Sequence, residues 1–210
     1  MPRLPVFPLG TVLLPHAILP LHIFEERYRK LMADLMLPAS PAGMPEAEMG
    51  VVLIEKGSEV GGGDARSRLG TVARIAGAEQ TTDGRWLVVA AGTRRFQVQG
   101  WLPDDPYPLA EVEEIPDDDW SDELAPTLQT AEREVRRAVA LAGELGHPVS
   151  LPAVSPDPIV ASWQLCSAVP VGPFDRQVLL AAASLGERLT ALIEQARDAA
   201  SILAFRLGSA

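Results

Sequence analysis

Three histidines, two lysines and one cysteine are the residues of this 210-residue chain best suited to nucleophilic, acid–base or metal chemistry, and their spacing keeps them apart. His16 falls in a proline-rich opening, His22 in a run of strand character, and His147 immediately before Pro148. No two of them share the short spacing of a metal-ligand pair. A Ser-Lys dyad would have to recruit Lys30 or Lys56, and neither lies in a pattern that buries an amine beside a serine. Cys166 stands alone, which excludes an internal disulfide and a cysteine-rich zinc site and suits a reducing, cytoplasmic setting. Glu25-Glu26 has the residue types for acid–base work. Adjacent helical positions diverge by about 100°, however, and acids at a helix start are explained by the macrodipole. A phosphate-cradling loop needs Gly-Lys-Ser/Thr, and the chain has no Gly-Lys pair. The Gly61-Gly62-Gly63 cluster has no dinucleotide-binding spacing, and neither Gly-x-Ser-x-Gly nor His-Glu-x-x-His occurs. We therefore expect no catalytic residue, no metal and no cofactor.

Charge points the same way. The formal net charge is −10, and the stretch from Asp104 to Glu123 contributes ten acids with no lysine or arginine. The remainder balances, with 18 acids against 18 bases. Such a chain repels a phosphate backbone at long range, so no nucleic-acid partner is expected. The basic foci are Arg66, Arg68 and Arg74 and the pair Arg94-Arg95, which strand alternation would split across two faces. Aromatic residues for stacking bases make up only 5% of the chain. The acids at Asp117 to Asp119 read as a solvated linker, with weak attraction for divalent cations or a basic partner.

The elements that must position these residues change in texture along the chain. Leu4 to Phe24 has 21 residues without a formal charge, but Pro5, Pro8, Pro15 and Pro20 interrupt it. Four lost amide donors exclude a membrane span, and the same prolines spoil a signal-peptide core. Short apolar or alternating runs predict seven strands: 4–7, 18–23, 50–55, 70–80, 85–91, 94–102 and 110–115. Asp83-Gly84 predicts a type I′ hairpin turn. Glu25 to Met36 predicts a helix with an apolar stripe at Tyr28, Leu31, Met32, Leu35 and Met36, followed by a mobile Pro/Ala/Gly-rich loop at 37–48. From Ser121 the periodicity is helical. Ser121, Asp157-Pro158 and Ser184-x-x-Glu187 read as helix starts. The expected fold class is α+β, with residues 1–116 an antiparallel β-barrel carrying one inserted helix and residues 117–210 an α-helical bundle.

The opening Leu4-Pro-Val-Phe-Pro-Leu-Gly-Thr-Val-Leu-Leu-Pro15 and Leu19-Pro-Leu-His-Ile-Phe-Glu-Glu-Arg-Tyr28 closely resemble the start of the substrate-binding N-terminal domain of Lon proteases. The resemblance continues through Gly50-Val-Val-Leu-Ile54, Gly70-Thr-Val-Ala-Arg-Ile75, Asp83-Gly-Arg85, Gly92-Thr-Arg-Arg-Phe96 and Asp175-Arg-Gln-Val-Leu-Leu180. It implies a PUA-like β-barrel followed by helices. It also implies recruitment of unfolded or tagged polypeptides, with a separate ATP-dependent protease as a partner and homodimerisation left open. Because neither a P-loop nor a peptidase dyad occurs by Ala210, the expectation is a stand-alone, non-enzymatic binding module. A surface that tolerates many sequences suits flexible methionine-rich patches. Met32, Leu35, Met36, Met44 and Met49, on or after the first helix, are the candidate contact residues. A hydrolase with an unrecognised site and a PUA-like RNA-binding protein remain the alternatives.

Overall fold

Proline, glycine and β-branched residues punctuate the first half of the chain, and the computed structural model resolves them into six strands and one helix. It describes residues 2–37, 47–57, 63–116, 119–147, 151 and 153–209. The chain divides into two compact units, Met1–Pro116 and Asp117–Ala210.

In the first unit β1 (Arg3–Leu9), β2 (Ile18–Ile23), α1 (Glu26–Leu35), β3 (Glu48–Lys56), β4 (Ala65–Gln80), β5 (Trp86–Trp101) and β6 (Leu109–Ile115) follow in order. The sheet runs β2-β5-β4-β3-β1-β6, and β6 also pairs with β5. The pairing therefore returns on itself through β5, β4, β3, β1 and β6. Val6, Val52, Val72, Phe96, Val98, Ala110 and Val112 form a buried cluster to which each of those five strands contributes. The next residue along a strand points the other way. Phe7, Val51 and Ala73 accordingly join a second core, with Leu31 and Met32 of α1 and Ile23 of β2.

Three details differ from the sequence-based expectation. The predicted strands 85–91 and 94–102 are one strand, because Gly92 serves a close approach rather than a turn. A Cβ there would collide with the carbonyl oxygen of Leu14, and the Gly92 amide donates to the Ala17 carbonyl at 2.8 Å. The sheet is also not wholly antiparallel. β1 and β3 pair in parallel, Val6 opposite Gly50 and Leu9 opposite Leu53, as the intervening β2 and α1 allow by returning the chain to the same end. At the β4–β5 hairpin only Gly84 takes a positive φ, 80°, and its amide donates to the Thr81 carbonyl. That is a turn closed by one left-handed glycine, in place of a type I′ pair.

The second unit contains a 3-10 turn at Asp122–Leu124, then α2 (Ala125–Glu144), α3 (Pro158–Ala168), α4 (Pro173–Ala181) and α5 (Leu185–Leu207). Asp157 caps α3 by accepting from the amides of Ile159 and Val160, with Pro158 in the first turn. Ser184 accepts from the Glu187 amide, while Glu187 reaches back to the Ala183 amide. α2 and α5 pack together. The buried stripe of α2 is Ala131, Val135, Ala138 and Ala142, small enough for close approach of the leucine-rich face of α5. Arg188 is fully buried with its guanidinium 3.7 Å from the Trp163 ring centroid. Among the described residues no helix is long and apolar enough to cross a membrane.

Candidate functional site

Several of the residues that could do chemistry have a structural explanation. Burial pushes the Cys166 thiol up to about 12, the opposite of what a nucleophile requires. Glu25 pairs with Arg27 at 3.1 Å, whereas Glu26 belongs to the first turn of α1. His16 occupies a left-handed backbone turn with φ 60°, and His22 lies on the exposed face of β2 with Phe24 6.3 Å away. Among the described residues no group of three His, Cys, Asp or Glu side chains is placed to hold a metal ion.

Arg66, Arg68, Arg94 and Arg95 are engaged within the fold. Arg66 binds Asp64 and Asp104, each at 2.7 Å, and lies 5.2 Å from the Trp101 ring. Arg68 donates to the carbonyls of Val98 and Gln99. Arg94 forms a two-pronged contact with Glu48 and reaches Glu114, and hydrogen bonding to Glu48 raises its pKa above the ordinary range despite partial burial. Arg95 is buried and donates to the Pro116 carbonyl.

What faces solvent is an apolar sheet surface in the first unit. On β2 and β5 the cross-strand partners are Ile18 with Ala91, Pro20 with Val89, and His22 with Leu87. On the other side of β5, Gly77 stands opposite Val89 and Glu79 opposite Leu87. Directly opposed residues share a face, so these rows make one continuous surface. Ile18 is 64% exposed, Leu87 48% and Val89 43%. A shallow depression of about 480 Å³ runs between Pro20, Gly77, Ala78, Leu87 and Val89. Gly77 leaves its floor open, because a Cβ there would have no neighbour within 4 Å. Beside it, a smaller cleft of about 190 Å³ opens between Phe7, Pro8, His22, Phe24 and Tyr28. Phe7 and Tyr28 form its aromatic wall, with ring centroids 4.2 Å apart, and burial holds the Tyr28 phenol above its usual range. Phe24 at its mouth is 52% exposed. Contiguous apolar surface of this kind marks an interaction site more often than isolated exposed residues do.

The model of the ATP-dependent protease La (LON) substrate-binding domain matches residues 3–197. The chain belongs to that family. The Lon-type chain is 27% identical over 195 residues to Lon protease 2 of Herpetosiphon aurantiacus, covering 90% of this chain and 23% of that protein. It is 29% identical over 113 residues to Lon protease of Flavobacterium johnsoniae, covering 53% and 13%. It thus spans less than a quarter of the length of these curated relatives. A solved Lon N-terminal domain protein from Xanthomonas campestris matches at 27% identity with a TM-score of 0.64, over 92% of this chain and 98% of that one. The N-terminal domain of Mycobacterium avium complex Lon protease matches at 18% identity with a TM-score of 0.64, over 94% and 99%, and shows the fold alone. The mixed α+β architecture is therefore that of Lon N-terminal domains.

Of the methionine-region residues singled out from this Lon-type sequence, Met32 and Met49 have no exposed surface and lie in the core shared by α1 and the sheet. Leu35 is half-buried against that core. Met36 is 37% exposed and precedes the exposed Leu37. Met44 lies outside the described residues. The structure thus buries two of the five candidates, Met32 because the α1 stripe faces the sheet and Met49 because its side chain on β3 meets the same core. The exposed surface centred on Ile18, Leu87 and Val89 was missed from sequence. Its signal was the lack of polar alternation in Ile18-Leu-Pro-Leu and Leu87-Val-Val-Ala-Ala.

Proposed function

We propose that this chain is a polypeptide-binding module that recruits unfolded or tagged segments and has no catalysis of its own. Its closed strand circuit is read as the PUA-like barrel expected of the family, and its second unit as the accompanying helical bundle. The observation that carries the reading is the exposed apolar surface of β2 and β5. Two of its rows put a large aliphatic residue beside an open depression, which suits sequence-tolerant contact with apolar side chains. The match to a substrate-binding domain supports the same reading. An ATP-dependent protease is the natural partner, and the cytoplasm the compartment that the lone thiol favours. RNA binding is the weaker reading, because Arg66, Arg68, Arg94 and Arg95 are committed to internal partners.

The test is fluorescence anisotropy of a labelled, permanently unfolded polypeptide titrated with the chain, beside its folded parent and a labelled single-stranded RNA. Saturable binding to the unfolded chain alone, with a Kd on the order of micromolar, is expected. The double variant Leu87→Asp/Val89→Asp should weaken it at least about tenfold, the effect of losing roughly 1.4 kcal/mol. Binding unchanged in that variant would overturn the assignment of the surface, and no binding below about millimolar would overturn the function.

A further inference from the structure

The second unit carries a groove of about 740 Å³ whose longest wall is the C-terminal half of α5. That volume is within the range of built ligand sites, about 300–1,000 Å³. Gln195, Asp198, Ala199, Ile202, Leu203 and Arg206 recur at three- and four-residue spacing and present one helical face to it. Val171 and Asp175, from the α3–α4 connection and α4, form the opposite side. The Gln195 side-chain amide donates to the Asp175 carbonyl at 2.9 Å, fixing the start of α4 against α5. Ile202 is 56% exposed and Phe205, one turn on, is 77% exposed, so the apolar strip continues past the rim.

The ionisable residues on the lining are Asp175, Asp198, Arg206 and, just past α2, His147. Asp175 and Asp198 have no ion-pair partner among the described residues, whereas Glu134 on α2 is matched by Arg197 on α5 at 3.4 Å. Two carboxylates thus flank an apolar floor, Asp175 in the first turn of α4 and Asp198 without an ion pair among the described residues, against one guanidinium, in a chain of net charge −10. That combination attracts a cationic ligand and rewards apolar contact beside the charge.

We propose that this groove binds an amphipathic helical segment whose apolar face is flanked by lysine or arginine, the apolar face lying along Ala199 and Ile202 and the cations meeting Asp175 and Asp198. A helix is the occupant because the long wall is itself a helical face, against which side-chain ridges interdigitate. The proposal concerns a second surface and stands apart from the sheet surface of the first unit.

The test uses the full chain and two labelled peptides about five turns long, one of leucine and lysine and one of leucine and glutamate at the same helical spacing. The Leu/Lys peptide should bind saturably by anisotropy, gain helical circular dichroism on binding, and bind at least about tenfold more tightly than the Leu/Glu peptide. Asp175→Asn/Asp198→Asn should weaken it about tenfold with the fold retained by circular dichroism, since both positions are exposed. Ile202→Ser should weaken both peptides. Equal binding of the two peptides, or indifference to the double Asn variant, would overturn the proposal. If Leu87→Asp/Val89→Asp abolishes the Leu/Lys signal, the peptide occupies the first unit and the groove assignment fails while the sheet surface stands.

Discussion

Asp64 illustrates how single residues here serve the fold. Burial raises its carboxyl, but the hydrogen bonds and charge of Arg66 outweigh that and hold it below the ordinary carboxylate range. At Asp34 the Lys30 hydrogen bond lowers the carboxyl first, and Tyr107, donating at 3.0 Å, lowers it further. A group whose folded pKa lies below its unfolded value contributes stability above the unfolded value, about 3.9 for aspartate, and loses it as pH falls through the folded one. The melting temperature should therefore fall below about pH 4. Asp64→Asn should lower it at neutral pH and flatten that acid decline, as a pH series of thermal melts would register. An unchanged acid slope would assign the decline to other carboxylates. At the centre of the strand circuit the argument is steric. A Cβ on Gly70 would collide with the Val51 carbonyl and come within 2.8 Å of Phe96 Cζ. Backbone cannot swing aside, so Gly70→Ala should cost about 1–3 kcal/mol in urea unfolding, and Phe96→Ala about 3–5 kcal/mol from the cavity it leaves.

At the scale of elements, helix starts were legible because capping chemistry is local. Asp157-Pro158 and Ser184-x-x-Glu187 hold the hydrogen bonds their spacing implies. Ser184→Ala should cost about 1 kcal/mol, read as a shift in the denaturation midpoint. Ala138→Leu should cost about 1–3 kcal/mol, because α2 meets α5 through fully buried alanines and an added isobutyl group has no room. What escaped the sequence was non-local. Gly92 reads as a turn until the Leu14 carbonyl is known to lie over it. The apolar stripe of α1 reads the same whether it waits for a partner or covers a sheet, and here Leu31 and Met32 cover the sheet. The β2–β5 surface was hidden for the converse reason. A strand apolar on both faces looks like a fully buried one, and only the register that groups Ile18, Val89 and Leu87 shows that one face is bare.

For the molecule as a whole, the surplus of acids and the engagement of Arg66, Arg68, Arg94 and Arg95 bear on how partners are attracted. On the proposed function, contact with the sheet surface would be apolar, so binding of an unfolded polypeptide there should vary little with salt, since screening acts on exposed charges and not on buried methyl groups. Its enthalpy should become more negative on warming, the heat-capacity signature of apolar burial. Nucleic-acid affinity would show the reverse, a steep loss with salt as counterions are released. Calorimetric titration of the unfolded polypeptide at several temperatures and two salt concentrations separates the cases. A negative heat-capacity change with a nearly constant Kd fits recruitment through Ile18, Leu87 and Val89. A strongly salt-dependent Kd without a heat-capacity change would move the contact onto charged groups and remove the sheet surface from the function.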